Sequence, residues 1–310
     1  MKKLLALFLL TSTVLLGACG KGSEQVAEES QDLQVITTFY PMYEFTKEVV
    51  GDTGKVSLLI PAGTEPHDYE PSAKDMAKIM DADAFVYKSP ELETWMPTMT
   101  DSIDTDKTVV IEAAKEIDIA ENEDHGEAEH GTDAHTHELD PHVWTDPVMA
   151  IKEVETIRDQ LSEKFPTKAA TFKKNAAAYI EQLNALDQEY TAALKDAVNR
   201  TFVTQHAAFG YLAKQYDLVQ ESIAGLSPDQ EPTPSRLAEL KEYVEDHQVK
   251  VIYFEENASS KVAETLANET GVELAVLNPL ESLTEKQISD GETYLTVMKE
   301  NLQALQKSIK

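Results

Sequence analysis

An α/β fold of two lobes, with central and mainly parallel sheets joined by one long rigid helix, is what this sequence predicts. Three observations carry that expectation. Short runs rich in β-branched and aromatic residues alternate with helical patterns along most of the chain, the layout of parallel sheets with crossover helices. About 280 residues beyond the amino terminus are more than one ordinary core organises, which favours two lobes. Residues 167–198 contain neither Gly nor Pro, and Phe172, Ala176, Tyr179, Leu183, Leu186, Tyr190 and Leu194 recur at steps of three and four. At 1.5 Å per residue this helix is on the order of 45 Å long, more than one small lobe needs, so it reads as a strut between lobes. A coiled-coil partner helix is the alternative, but the pattern lasts only about four heptads and stands alone.

The amino terminus reads as an export signal. Lys2 and Lys3 precede an apolar run from Leu4 to Leu16, too short for the roughly 20 residues of a spanning helix. The run ends in Leu16-Gly17-Ala18-Cys19, which resembles the lipobox of bacterial lipoproteins, where the cysteine is acylated and becomes the first residue. Residues 1–18 are therefore expected to be a lipoprotein signal peptide. The acidic, small-residue stretch 19–31 is expected to be a flexible tether. Cys19 is the one cysteine in the chain, so no internal disulfide is available and thiolate metal chemistry is not expected. The net charge of −29 argues against nucleic acid as a partner.

The first lobe is expected over residues 32–166, with strands at Leu33–Phe39, Val56–Ile60, Ala84–Tyr87 and Thr108–Ile111. His67 lies in Pro61-Ala62-Gly63-Thr64-Glu65-Pro66-His67-Asp68-Tyr69-Glu70-Pro71-Ser72, a proline-braced loop whose Ser72 is placed to cap a helix starting near Ala73. The sharpest signal follows. Residues 121–139 form an acidic, histidine-rich stretch, and His125, His130, His135 and His137 show no periodicity, which predicts a mobile loop of metal-collecting composition. At once comes Asp140-Pro141-His142-Val143-Trp144-Thr145-Asp146-Pro147, where two prolines and a tryptophan brace His142 as a fixed metal ligand.

The second lobe is expected over residues 199–310, with strands at Thr201–Thr204, Val249–Phe254 and Leu274–Val276. His206 stands after the first of these and opens a helix predicted over Ala207–Tyr216, at the carboxyl end of a strand where open α/β sheets bind ligands. Glu255 occupies the same kind of position, whereas His247 sits in a charged helical segment and reads as surface. Taken singly, each histidine is more often incidental than functional.

Together these blocks resemble the zinc- and manganese-specific solute-binding lipoproteins of bacterial ABC importers, the ZnuA-like family. The resemblance covers residues 19–310 and rests on five motifs in order: the P-A-G-T-E-P-H-D-Y-E-P-S block, the acidic His-rich insertion, D-P-H-V-W-T-D-P, T-Q-H-A-A-F-G-Y-L, and Asn278-Pro279-Leu280-Glu281. It implies two similar lobes, with a metal held in the cleft by His67 and His142 from the first and by His206 and Glu281 from the second. Glu255 is then a partner of a ligand or an alternative fourth ligand, and Asp290 a weaker one. The resemblance further implies delivery to an ABC permease, lipid anchoring through Cys19 at the extracytoplasmic face of the cell membrane, and a monomer. Metal capture by His125, His130, His135 and His137 is the matching role for the loop.

Three imidazoles and one carboxylate suit one tight tetrahedral Zn²⁺ site, while Mn²⁺ prefers more oxygen ligands and a higher coordination number. A manganese receptor of the same family and a surface adhesin are the alternatives, but no repeats or aromatic modules support adhesion. A metalloprotease is excluded by geometry. In His137-Glu138-Leu139-Asp140-Pro141-His142 the second histidine falls at i+5 and Pro141 breaks the helix, so the H-E-x-x-H arrangement cannot form.

Overall fold

The computed structural model describes residues 32–121 and 139–309. Cys19 and the histidines at 125, 130, 135 and 137 therefore lie outside the described residues. In the first lobe the chain runs β1 (Leu33–Thr37), α1 (Tyr40–Val50), β2 (Gly54–Leu58), α2 (Ala73–Asp81), β3 (Ala84–Tyr87), α3 (Met96–Met99), β4 (Val109–Glu112) and α4 (Pro147–Lys164). After α5 (Ala169–Leu194) the second lobe runs β5 (Thr201–Thr204), α6 (Gly210–Gln215), β6 (Val219–Ser222), α7 (Pro234–Asp246), β7 (Val251–Phe254), α8 (Lys261–Thr270), β8 (Glu273–Val276), α9 (Glu285–Asp290) and α10 (Tyr294–Ile309).

Each lobe holds a four-stranded sheet, ordered β2-β1-β3-β4 in the first and β6-β5-β7-β8 in the second. Every pairing is parallel, so the second lobe repeats the connectivity of the first. Of the interior strands β1, β3, β5 and β7, β3 and β5 are buried along their whole length, as expected for parallel sheets covered by helices on both faces.

The linking helix α5 spans 26 residues, about 39 Å at 1.5 Å per residue. It begins and ends a few residues inside the predicted 167–198. Lys168 is its N-terminal flank after a turn at Pro166, and the Lys195 amide makes the last 5→1 bond, to the Thr191 carbonyl. Its buried residues are the seven of the predicted stripe. That stripe packs against α1 and α4 of the first lobe and α10 of the second, so one helix face seats on both lobes. A continuous apolar cluster runs from Val35 and Phe45 through Trp144 and Tyr190 to Tyr294 and Leu305.

Strands β1, β4, β7 and β8 lie within one or two residues of their expected bounds, and three other expectations differ from the structure. Val219–Ser222 forms a strand that the sequence does not announce, because it is an edge strand whose first residue is exposed and whose buried end is Glu221 and Ser222. The helix expected over Ala207–Tyr216 is the shorter α6, because the Ala207 amide bonds to the Gly225 carbonyl. The strand expected at Val56–Ile60 is β2, two residues earlier, where it stays in register with β1 from Leu33 to Thr37. Among the described residues no helix is long and apolar enough to cross a membrane.

Candidate metal centre

Every candidate ligand sits beyond the carboxyl end of a strand, the edge where parallel sheets leave room for ligands. His67 lies in the loop between β2 and α2. That loop closes on a capping box in which the Ser72 hydroxyl accepts from the Asp75 amide and the Asp75 carboxylate accepts from the Ser72 amide. The Glu65 carboxylate accepts the His67 amide at 3.1 Å.

His142 enters through a single 3₁₀ turn, Val143–Thr145, ahead of α4, whose first turn is capped by Asp146. The turn is clamped to the second lobe. Trp144 Nε1 donates to the Pro279 carbonyl at 2.7 Å, Thr145 Oγ1 to the Ala208 carbonyl at 3.0 Å, and the Tyr294 hydroxyl to the Trp144 carbonyl at 2.7 Å.

His206 follows β5, where Thr204 Oγ1 donates to its carbonyl at 2.7 Å. Glu281 follows β8 behind Leu280, whose φ of +63° lies in the left-handed region, an uncommon and costly conformation for a branched residue. Asn278 and Asn301 hold that bend. Asn278 Oδ1 accepts the Leu280 amide at 2.7 Å, Asn301 Oδ1 accepts the Asn278 amide at 2.9 Å, and Asn301 Nδ2 donates to the Asn278 carbonyl at 2.7 Å.

These four side chains converge from both lobes. His67 Nε2 is 3.2 Å from His142 Nε2, and Glu281 Oε1 is 3.1 Å from each of these and 3.3 Å from His206 Nε2. One donor atom from each of the four lies within 4.8 Å of every other. A tetrahedron with bonds near 2.0–2.1 Å has edges of about 3.3 Å, so four of the six donor–donor edges already have the length of a Zn²⁺ coordination shell and the other two stay within 4.8 Å. Among the described residues the cluster offers three imidazole nitrogens and one carboxylate, not the oxygen-rich shell that manganese prefers.

Carboxylates behind two of the rings set their orientation. Asp140 Oδ1 lies 2.7 Å from His142 Nδ1, and Glu255 Oε1 lies 2.5 Å from His206 Nδ1. Each is placed to accept a hydrogen bond from Nδ1–H, the arrangement that turns the Nε2 lone pair to the centre when a metal is held there. Burial alone depresses an imidazole, and it leaves His67 below its ordinary value. In His142 and His206 burial is outweighed by the carboxylates at both nitrogens, Asp140 with Glu281 and Glu255 with Glu281, and both are raised. Burial pushes Glu281 up, but the three imidazoles prevail and hold it well below the usual range. Burial and the neighbouring Glu281 raise Glu65 to about 8.

The other predicted candidates fall elsewhere. Glu255 turns its carboxylate to the far ring nitrogen of His206 and adds no oxygen to the cluster. Asp290 ends α9 in an ion pair with Lys286. His247 is an exposed residue stacked on Tyr243. Asp140 escaped the sequence reading. Its one signal was its place two residues before His142, across a proline.

A family model described as "ZnuA: Zinc-uptake complex component A periplasmic" matches residues 35–308. The chain belongs to this family. It is 53% identical over 310 residues to the zinc-binding lipoprotein AdcA of Streptococcus pneumoniae, a match covering 99% of this chain and 61% of AdcA. The chain thus spans about three fifths of that relative's length. Over 313 residues it is 50% identical to the high-affinity zinc uptake system protein ZnuA of Bacillus subtilis, with 99% of this chain and 98% of that protein covered. The crystal structure of the Zn(II)-bound ZnuA-like domain of Streptococcus pneumoniae AdcA superposes with a TM-score of 0.78 at 53% identity, over 90% of this chain and 99% of that domain. These relatives carry names of zinc binding and uptake and none of catalysis.

Proposed function

We propose that this chain captures Zn²⁺ between its two lobes outside the cytoplasm and delivers it to the permease of an ABC importer. The observation that carries this reading is the meeting of three Nε2 atoms and one carboxylate oxygen, contributed in pairs by lobes that share one rigid helix. His67, His142, His206 and Glu281 are the ligands. Four protein donors leave no open position for a catalytic water, as a carrier needs and a hydrolase does not.

Cys19 supplies a lipid anchor to the outer face of the membrane, and two or more acyl chains hold where one holds weakly. His125, His130, His135 and His137 collect zinc transiently for the deeper site. The protein works as a monomer.

Elemental analysis of protein purified without added metal, followed by calorimetric competition between Zn²⁺ and Mn²⁺, tests the reading. One zinc per chain and a clear preference for zinc are expected. A preference for manganese, or zinc that stays bound after all four ligands are replaced by Ala, overturns it.

A further inference from the structure

We infer that zinc enters and leaves through the cleft beside His67, and that the Glu91 carboxylate is the first ligand it meets inside that cleft. This rests on the zinc-carrier reading above.

The four ligands are not equally enclosed. The His142 and His206 side chains have no exposure and Glu281 has 5%, whereas His67 keeps 11%. The door is therefore on the His67 side. Among the described residues, cavities reach the ligand side chains on two sides. One, of about 400 Å³, opens between His67, Glu91 and Pro141 of the first lobe and Leu226, Ser227 and Gln230 of the second. The other, of about 10 Å³, lies between Glu65, Glu255, Asn278 and Glu281. Size separates them. A divalent ion with six waters fills on the order of 180 Å³ at roughly 30 Å³ per water, so the first cavity admits a hydrated ion and the second holds about one water.

Glu91 is the acidic side chain on the wall of the larger cavity, and its Oε2 is buried without a hydrogen-bond partner among the described residues. A buried carboxylate oxygen left unpaired is costly. A partly hydrated cation in the cavity relieves that cost, and carboxylate oxygen is a ligand such a cation accepts before imidazole strips its remaining water. Glu91 is not among the four ligands, so its contribution falls on the path and not on the end state. It lowers the barrier in both directions.

The experiment mixes apo protein, as the full chain at fixed ionic strength, with zinc sulfate and follows Trp144, whose ring lies 5.2 Å from that of His142, by stopped-flow fluorescence. Glu91→Gln is compared with wild type and with Glu256→Gln, an exposed residue that lines the small cavity and loses the same charge. Glu91→Gln is expected to slow association about tenfold, the low end of the range over which local charge steers ions. Dissociation into excess chelator should slow by the same factor, leaving Kd within about twofold, while Glu256→Gln changes neither rate. Unchanged rates in Glu91→Gln overturn the inference, as does an equal slowing in both variants or a changed Kd at unchanged association. Failure of wild type to bind zinc tightly at equilibrium would instead overturn the zinc-carrier reading.

Discussion

A single oxygen of Asp140 takes both hydrogen bonds that fix His142, accepting its backbone amide at 2.9 Å and facing its ring Nδ1 at 2.7 Å. With Pro141 between the two residues, the carboxylate and the imidazole form one rigid unit. The ring cannot turn without breaking an ionic hydrogen bond in a buried setting, where such bonds are strongest.

Asp140→Asn should therefore weaken zinc binding by about 10- to 100-fold, the usual range for a partner behind a metal-binding imidazole. The amide keeps the shape but offers an NH₂ group that competes for the wrong tautomer. Chelator competition measures the affinity and an apo melt checks the fold. An unchanged affinity would show that Asp140 does not hold the tautomer.

How much of this was legible follows from what each signal depends on. The α5 stripe was readable to the residue because seven apolar positions in a Gly- and Pro-free run depend only on local periodicity. The strands β3 and β5 fell on their predicted bounds because both are buried and apolar or β-branched throughout. Edge strand β6 was silent, since a strand exposed along part of its length needs no apolar run. His67 and His206 stand out by residue type and by their place after strands, and His142 by the prolines and tryptophan that brace it. Glu281 could be named only through resemblance, because one acid among 56 acidic residues carries no local mark. The pairing of Glu255 with His206 joins residues 49 apart, which no spacing rule reaches.

Deep in the first lobe, Lys88 Nζ faces Glu153 Oε1 at 3.9 Å, and both side chains are fully buried. Burial pulls the lysine below its ordinary value and pushes Glu153 up to about 7. Lys88→Met should cost about 3–5 kcal/mol, because it leaves a buried carboxylate uncompensated. The double variant Lys88→Met/Glu153→Leu should recover most of that loss. Urea unfolding with an unchanged m-value is the measurement, and a double variant no more stable than the single one would contradict the argument.

Glu44 on α1 gives a pH signature. Burial is the main cause of its rise to about 7, Lys47 opposing and Glu48 adding to it. Because the folded value lies above the unfolded one, the folded state binds the proton more tightly. The resulting stability is fully present below the unfolded carboxylate range and is lost as pH rises to about 7. Glu44→Gln should therefore change little at pH 4 and stabilise by roughly 3 kcal/mol at pH 8. Parallel urea titrations of the two proteins at both pH values check it. A gap that does not widen with pH would rule this out.

Glu121 and Leu139 bridge each other as an isolated antiparallel pair, so the chain enters and leaves the His-rich segment at one point. Deleting residues 124–137 should leave one zinc bound at near-original affinity, because a site built elsewhere keeps its binding energy. Growth should slow only when zinc is scarce. Loss of the tight site in calorimetry would make one of His125, His130, His135 or His137 a true ligand.

His206 carries the choice of metal. It is fully buried, held by Glu255 on one nitrogen and facing Glu281 on the other, and it turns a mixed site into one of three imidazoles. Replacing it with Glu should weaken zinc and move the preference toward manganese, whose harder ion favours oxygen. Binding adds to folding through RT ln(1 + [L]/Kd), so wild type at a thousandfold excess over Kd should gain about 4 kcal/mol from zinc, while His206→Ala should lose most of that gain. Melts of the apo and zinc-loaded proteins read it directly. His206→Ala melts on its own apo baseline, which separates a lost ligand from a damaged fold. An undiminished zinc-dependent shift would remove His206 from the site, and the ground for preferring zinc over manganese would go with it.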